Sequence, residues 1–249
     1  MKPRIAIPLP HSGDPEYAQR AIPQYERAVE IAGAEAVRIP LHRTPAEIMK
    51  LIERCDGVVL PGSKADVDPA KYGAERHAKT EAADAKRDTV DELLLQDAYN
   101  MRKPVLGICY GLQILNVYRT GTLLQHIETD VNHAAGRNVP VAHAVEVEPG
   151  SKLAEILNAR ARAAVPVNSS HHQSADVVGD GLKIVARCTQ DGIIEALEGT
   201  SSDHFVLAVQ WHPERSFNED ENSRKIFRAL VQAAEKRHED LIGEFEGTR

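Results

Sequence analysis

The chain has 249 residues, 42% hydrophobic and 27% charged, which supplies a sizeable soluble core and argues against wholesale disorder. Its 30 Lys and Arg are outnumbered by 37 Asp and Glu, for a net charge of −7, and aromatics make up only 4%; this speaks against a nucleic-acid platform or an anionic-membrane binder. No apolar run approaches the roughly 20 residues of a membrane span, no apolar signal segment opens the sequence, and Cys55, Cys109 and Cys188 lack C-x-x-C spacing, so neither a disulfide framework nor a zinc site is expected and a reducing cytoplasm is the predicted compartment.

Short apolar runs alternate with helical patterns. Residues 5–9 predict a strand, 16–32 a helix ended by Gly33, and 36–39 a second strand. Pro45 opens a helix to about residue 54 as a first-turn proline. Residues 57–60 form a buried strand stopping at Pro61-Gly62-Ser63. Residues 62–86 are polar and aperiodic, and loops of that length are often functional. Residues 87–101 predict a long helix, 104–108 a strand, and 111–117 the start of another helix. The second half is richer in strands, at 141–147, 182–186, 193–197 and 205–210. An amphipathic helix over 223–237 closes the fold, and 239–249 is read as a loose tail. The β-α-β alternation predicts one α/β domain over 1–249, a mostly parallel central sheet flanked by helices.

The strongest local signal is G-I-C-Y-G at 107–111, where a strand runs directly into a helix. It is the cysteine form of the nucleophile elbow, whose sharp turn requires small neighbours. A helix N-terminus there is expected to favour the thiolate of Cys109. A buried structural cysteine at a strand end is the bland alternative. The second signal is W-H-P-E at 211–214. His212 could act as general base and then general acid, with Glu214 fixing its tautomer. A lone histidine is more often structural, and the chain has 11; its pairing with the elbow favours catalysis.

A nucleophilic cysteine followed about a hundred residues later by His-x-Glu resembles the class I glutamine amidotransferases. Further motifs narrow the resemblance to the γ-glutamyl hydrolase branch, the peptidase C26 group that includes γ-glutamyl-GABA hydrolase. They are D-G-V-V-L-P-G-S at 56–63, D-V-D-P-A-K-Y-G at 66–73, R-D at 87–88, N-V-Y-R-T-G-T-L-L-Q at 116–125, V-N-S-S-H-H-Q at 167–173 and G-I-I-E-A-L-E at 192–198. The likeness runs from about Arg4 to Leu230. It implies a flavodoxin-like fold, a Cys109–His212–Glu214 triad, and an oxyanion hole from the backbone N–H groups of Gly62 and Tyr110; in a free-standing hydrolase both are expected to point at the thiol in the resting chain. It further implies that Gln113 binds the glutamyl group and that Ser170, His171, His172 and Gln173 form the other substrate wall. Tyr110 stands where many members carry arginine, and Thr120-Gly121 where two glycines are common.

The paired His171-His172 invites a metal reading, but no third ligand has suitable spacing, so no metal and no cofactor are expected. Glu195, a carboxylate among apolar residues, needs a partner and could support the active-site turn or bind substrate. The resemblance implies hydrolysis of a small γ-glutamyl amine. The alternatives are a glutaminase subunit feeding ammonia to a separate synthetase and a degenerate binding module. The expected partner is a small γ-glutamyl substrate; a homo-oligomer is left open, and neither nucleic acid nor membrane is expected.

Overall fold

The computed structural model describes residues 2–159 and 163–247, with side chains to residue 240. In chain order the first half holds β1 (Arg4–Pro8), α1 (Pro15–Ile31), β2 (Glu35–Ile39), α2 (Pro45–Ile52), β3 (Gly57–Leu60), α3 (Ala85–Met101), β4 (Val105–Ile108) and α4 (Tyr110–Tyr118). The second holds β5 (Leu123–Leu124), β6 (His143–Val147), α5 (Lys152–Leu157), β7 (Ala164–Val167), β8 (Ser174–Ala175), β9 (Leu182–Cys188), β10 (Ile194–Gly199), β11 (Val206–Val209), α6 (Pro213–Ser216) and α7 (Glu221–Gly247).

The helix starts follow local chemistry. Asp14 accepts from the Tyr17 amide at 2.9 Å to cap α1. At α2, Thr44 and Glu47 exchange the reciprocal bonds of a capping box, with Pro45 in the first turn. β3, β4 and β11 are buried at every residue, as strands covered on both faces must be.

One nine-stranded sheet has the order β2-β1-β3-β4-β11-β10-β9-β6-β7. The first five strands run parallel and reproduce the flavodoxin-like order. The last four extend the sheet antiparallel. Two apolar layers flank it. One places Ile22 and Tyr25 of α1 beside Phe227 and Leu230 of α7. The other gathers Ile48 of α2, Leu94 of α3 and Leu115 of α4. In such sheets ligands bind beyond the carboxyl ends of the parallel strands. Gly62, Cys109 and His212 lie just past the ends of β3, β4 and β11.

The structure lengthens the closing helix. α7 begins at Glu221 and continues to Gly247, so the segment read as a loose tail from 239 is helical that far; residues 248–249 lie outside the described residues. The aperiodic 62–86 segment holds one short 3-10 turn, Pro69–Tyr72.

Candidate active site

Cys109 adopts φ 54°, ψ −108°, a backbone conformation that costs a non-glycine residue about 1–3 kcal/mol. Its neighbours explain how the strain is held. A Cβ on Gly107 would lie 2.7 Å from the Gly111 carbonyl oxygen, and one on Gly111 would lie 2.1 Å from that of Leu60. Only glycine permits α4 to approach β3 so closely. The Cys109 amide donates to Val209 O at 2.8 Å, locking the turn to β11.

His212 follows β11 and is 2% exposed. Asn168 clamps its backbone on both sides: the His212 amide donates to Asn168 Oδ1 and Asn168 Nδ2 donates to His212 O, each at 2.9 Å. Nδ1 donates to Glu214 Oε1 at 2.8 Å, so the proton sits on Nδ1 and Nε2 carries the lone pair. That Nε2 has no hydrogen-bond partner among the described residues. Gly62 sits between the two motifs, since a Cβ there would stand 3.1 Å from His212 Cε1 and 3.6 Å from Cys109 Cβ.

Electrostatics run against the expected resting thiolate. Burial pushes the Cys109 thiol up to about 12, with Glu214 adding to the rise, against the pull of Arg215 and the Tyr110 amide. Burial also lowers His212 below its ordinary value, outweighing Glu214. Although burial disfavours its charge, Glu214 is held below the usual range by His212 and Arg215. The Cys109 and His212 shifts both favour a neutral thiol and a neutral imidazole at rest.

The expected oxyanion donors differ from each other. The Tyr110 amide lies on the Cys109 sulfur. The Gly62 amide, by contrast, donates to the Tyr25 hydroxyl at 3.1 Å, so it does not stand free toward the thiol. The Pro61–Gly62 peptide is also held from its other end. Fully buried Arg87 donates from Nη2 to Pro61 O at 2.8 Å, and its Nε meets Asp91 at 2.8 Å. The Tyr110 side chain packs under Arg87 at 4.8 Å and donates to Asp88 Oδ1 at 2.7 Å. The side chain at 110 is therefore part of the support beneath the turn.

Cys109, His212, Glu214, Gln113, Ser170, His171, His172 and Gln173 all line one cleft of about 430 Å³. Their side chains are not equally available. Gln113 Nε2 donates to Gln173 O at 3.2 Å, and Gln173 Nε2 donates to Asp66 Oδ2 at 3.0 Å. His172 meets Asp66 at 3.1 Å, a contact that raises His172 despite its partial burial. His171 turns inward: Nδ1 donates to Gln173 O at 2.9 Å and Nε2 lies 3.5 Å from Glu195. Besides His212 Nε2, the buried polar atoms on cleft residues that lack partners among the described residues are Arg215 Nη1, Gln173 Oε1, His171 Nε2 and Glu214 Oε2. Arg20, Lys64 and Arg137 line the same cleft. Asp66 comes from the 62–86 segment and is part of the floor. Tyr25, Asn168 and Arg215 escaped sequence reasoning. Asn168 at least stood inside the V-N-S-S-H-H-Q motif, whereas Tyr25 is one apolar-face residue of a helix.

This is the geometry of a class I glutamine amidotransferase-like α/β protein: a cysteine elbow after a central parallel strand, with His-x-Glu after its neighbour. A model of the peptidase C26 family matches residues 8–214, and the chain belongs to that family, whose members hydrolyse amide bonds. A Mycobacterium tuberculosis protein named only by its likeness to glutamine amidotransferases is 39% identical over 84% of the chain; the chain spans 66% of that protein's length. The γ-glutamyl-γ-aminobutyrate hydrolase PuuD of Escherichia coli K12 is 32% identical, with 85% of each covered. A solved structure from Thermoplasma acidophilum, assigned to GMP synthase as one of its subunits, superposes with a TM-score of 0.68 over 97% of this chain and 98% of that one; at 15% identity it shows the fold. No helix among the described residues is long and apolar enough to cross a membrane.

Proposed function

We propose that the chain hydrolyses the γ-glutamyl amide of a small γ-glutamyl amine, of the γ-glutamyl-GABA type, through a Cys109 thioester. Because thiol and imidazole both rest neutral, proton transfer accompanies attack: His212 Nε2 takes the Sγ proton as sulfur adds to the amide carbonyl. The oxyanion is met by the Tyr110 amide and, once the substrate oxygen displaces the Tyr25 hydroxyl, by the Gly62 amide. His212 then protonates the departing amine. The thioester is hydrolysed by water in the same manner, releasing glutamate. Glu214 holds the imidazole and offsets its transient charge.

The observation that carries this reading is the partnerless Nε2 of His212 in one cleft with Cys109. The lining is suited to a doubly anionic substrate. Arg215 Nη1 and Gln173 Oε1 offer an unspent donor and acceptor for a glutamyl carboxylate and ammonium, beside Gln113 and the 170–173 wall. Arg20 and Arg137 supply cations for a carboxylate on the amine side, while Lys64 is already paired with Asp14 at 2.6 Å.

The purified chain alone, given γ-glutamyl-GABA, γ-glutamylbutylamine and glutamine, is therefore expected to favour the first by about 10-fold or more in kcat/KM. A single charge-assisted contact is worth about 1.5–3 kcal/mol, and 1.4 kcal/mol is about tenfold. One observation favours a glutaminase subunit instead: the Gly62 amide is already engaged by Tyr25, as in a site waiting for a partner. Inactivity on every amine, with glutamine hydrolysis appearing only when a second protein is added, would decide for the subunit.

The neutral resting pair has its own signature. Protonated His212 cannot accept the thiol proton, so kcat/KM should fall on the acid side with a midpoint below the ordinary histidine value of 6.5. Ultraviolet thiolate absorbance attributable to Cys109 should be lacking at neutral pH. Iodoacetamide should still label Cys109 ahead of Cys55 and Cys188, which lie in the core, and labelling should slow sharply in His212→Ala. A strong neutral-pH thiolate band, or labelling indifferent to His212, contradicts this account.

A further inference from the structure

Behind the substrate wall, outside the catalytic machinery, four buried side chains converge: His133, His143, His171 and Glu195, with one donor atom from each within 4.8 Å of every other. They come from four separate places, the loop after β5, the start of β6, the loop after β7, and β10. Glu195 is the extra residue of a β-bulge, where Ile194 pairs with Arg187 and Ala196 with Ala186. A bulge re-aims one side chain out of the strand alternation, and here it delivers the carboxylate to the histidines.

The protonation of two of the three histidines is fixed from outside. His171 Nδ1 donates to Gln173 O at 2.9 Å, so Nε2 faces inward with its lone pair. His133 Nε2 meets the Asp191 carboxylate at 2.9 Å, which leaves Nδ1 inward. Inward atoms approach Glu195 Oε1 at 3.2 Å from His133, 3.3 Å from His143 and 3.5 Å from His171. Yet none of these nitrogens, and neither Glu195 oxygen, has a partner in hydrogen-bond geometry among the described residues. Glu195 is 0% exposed. Acceptors held face to face in a dry site repel unless a cation lies between them.

We propose that this cluster is a structural binding site for a divalent transition-metal ion of the zinc type. Three imidazoles and one carboxylate are a fitting donor set. A tetrahedron with ligand bonds of about 2.0–2.2 Å has edges of about 3.3–3.6 Å, and the three Glu195 distances fall close to that range. Asp191 and the Gln173 carbonyl are the outer partners that orient ligating histidines. Four protein ligands and complete burial make a closed site. Its place follows: His171 is tethered between Ser170 and His172, so the ion would pin the substrate wall to β6 and β10. The sequence expectation of no metal rested on a lack of third-ligand spacing for His171-His172. The fold supplies the other ligands from a distance, and His172 turns to Asp66 instead.

The test is metal content, which does not depend on the catalytic reading. The full chain, freed of any affinity tag and produced in zinc-supplemented medium, should carry about one zinc per chain by plasma mass spectrometry. Chain produced with cobalt instead should show the intense visible band of tetrahedral Co²⁺. His143→Ala and Glu195→Gln should lose most of the metal, whereas His172→Ala should keep it. If the two ligand variants fail to fold, the wild-type chain decides by itself. Zinc-free wild type with no cobalt band and a melting temperature indifferent to added ZnCl₂ would overturn the proposal and leave a proton-sharing His–Glu network. Equal metal loss in His172→Ala would overturn this ligand set.

Discussion

Cys109→Ala and His212→Ala are each expected to lower kcat/KM for a γ-glutamyl amine by on the order of 10⁵-fold, and the double variant should be scarcely worse than either. Nucleophile and base act as a unit, so removing one forfeits what the other contributes. Here the coupling should be tight, because the thiol is held up near 12 by burial and gains nothing by waiting ionised. Glu214→Gln should cost less, on the order of 10³–10⁴-fold, since it misdirects the tautomer without removing the base. Steady-state kinetics on folded variants, checked by circular dichroism, measure all three. Near wild-type turnover in His212→Ala would move the base elsewhere. His172 is then the first suspect, because it too lines the cleft and has a carboxylate partner, Asp66, at 3.1 Å.

The parallel half of the fold was legible because its signals are local. Residues 57–60 were expected as a buried strand and are β3 to the residue; the capped helix at Pro45 and the elbow at Cys109 depend on neighbours within four positions. The second half was harder. β7 contains Pro166 and lies at the sheet edge, where a missing amide is tolerated, but nothing in Ala164–Val167 announces a strand. β5 and β8 are two residues each, and they exist only because Leu123 and Ala175 meet.

The candidate site divides along the same line. Cys109, His212 and Glu214 are each marked by adjacent residues. What surrounds them is assembled across distance: Tyr25 reaches Gly62, Arg87 reaches Pro61, and Glu195 reaches histidines on three other segments. Only the fold could show that the Gly62 amide is already engaged. The expected thiolate is opposed for a related reason. A helix N-terminus is visible in sequence, but the depth at which it is buried is not, and burial is the larger effect here.

Gly111→Ala is expected to be the most damaging conservative change outside the triad, and it tests whether elbow packing sets the oxyanion geometry. The added Cβ would start 2.1 Å from Leu60 O and 2.9 Å from Leu60 Cβ. Both β3 and α4 are buried at this point, so relief must come from moving the Leu60–Pro61–Gly62 turn. Opening 2.1 Å to a tolerable 3.0 Å moves the backbone by roughly 0.9 Å. Arg87, fixed by Asp91, holds Pro61 O and resists that shift. Overpacking of this kind costs about 1–3 kcal/mol or more, which should lower Tm by several degrees. The catalytic effect should be separate and larger: a displacement of about 1 Å can cost on the order of 100-fold, here in kcat, because the Gly62 amide serves the transition state while the glutamyl wall at 170–173 is untouched. Gly150→Ala is the control. It carries φ +73° with open space around it, so it should lose stability through backbone strain yet keep wild-type kcat. A folded Gly111→Ala with unchanged kcat would show that the turn after β3 tolerates displacement, and the oxyanion donors would then have to be sought elsewhere in the cleft.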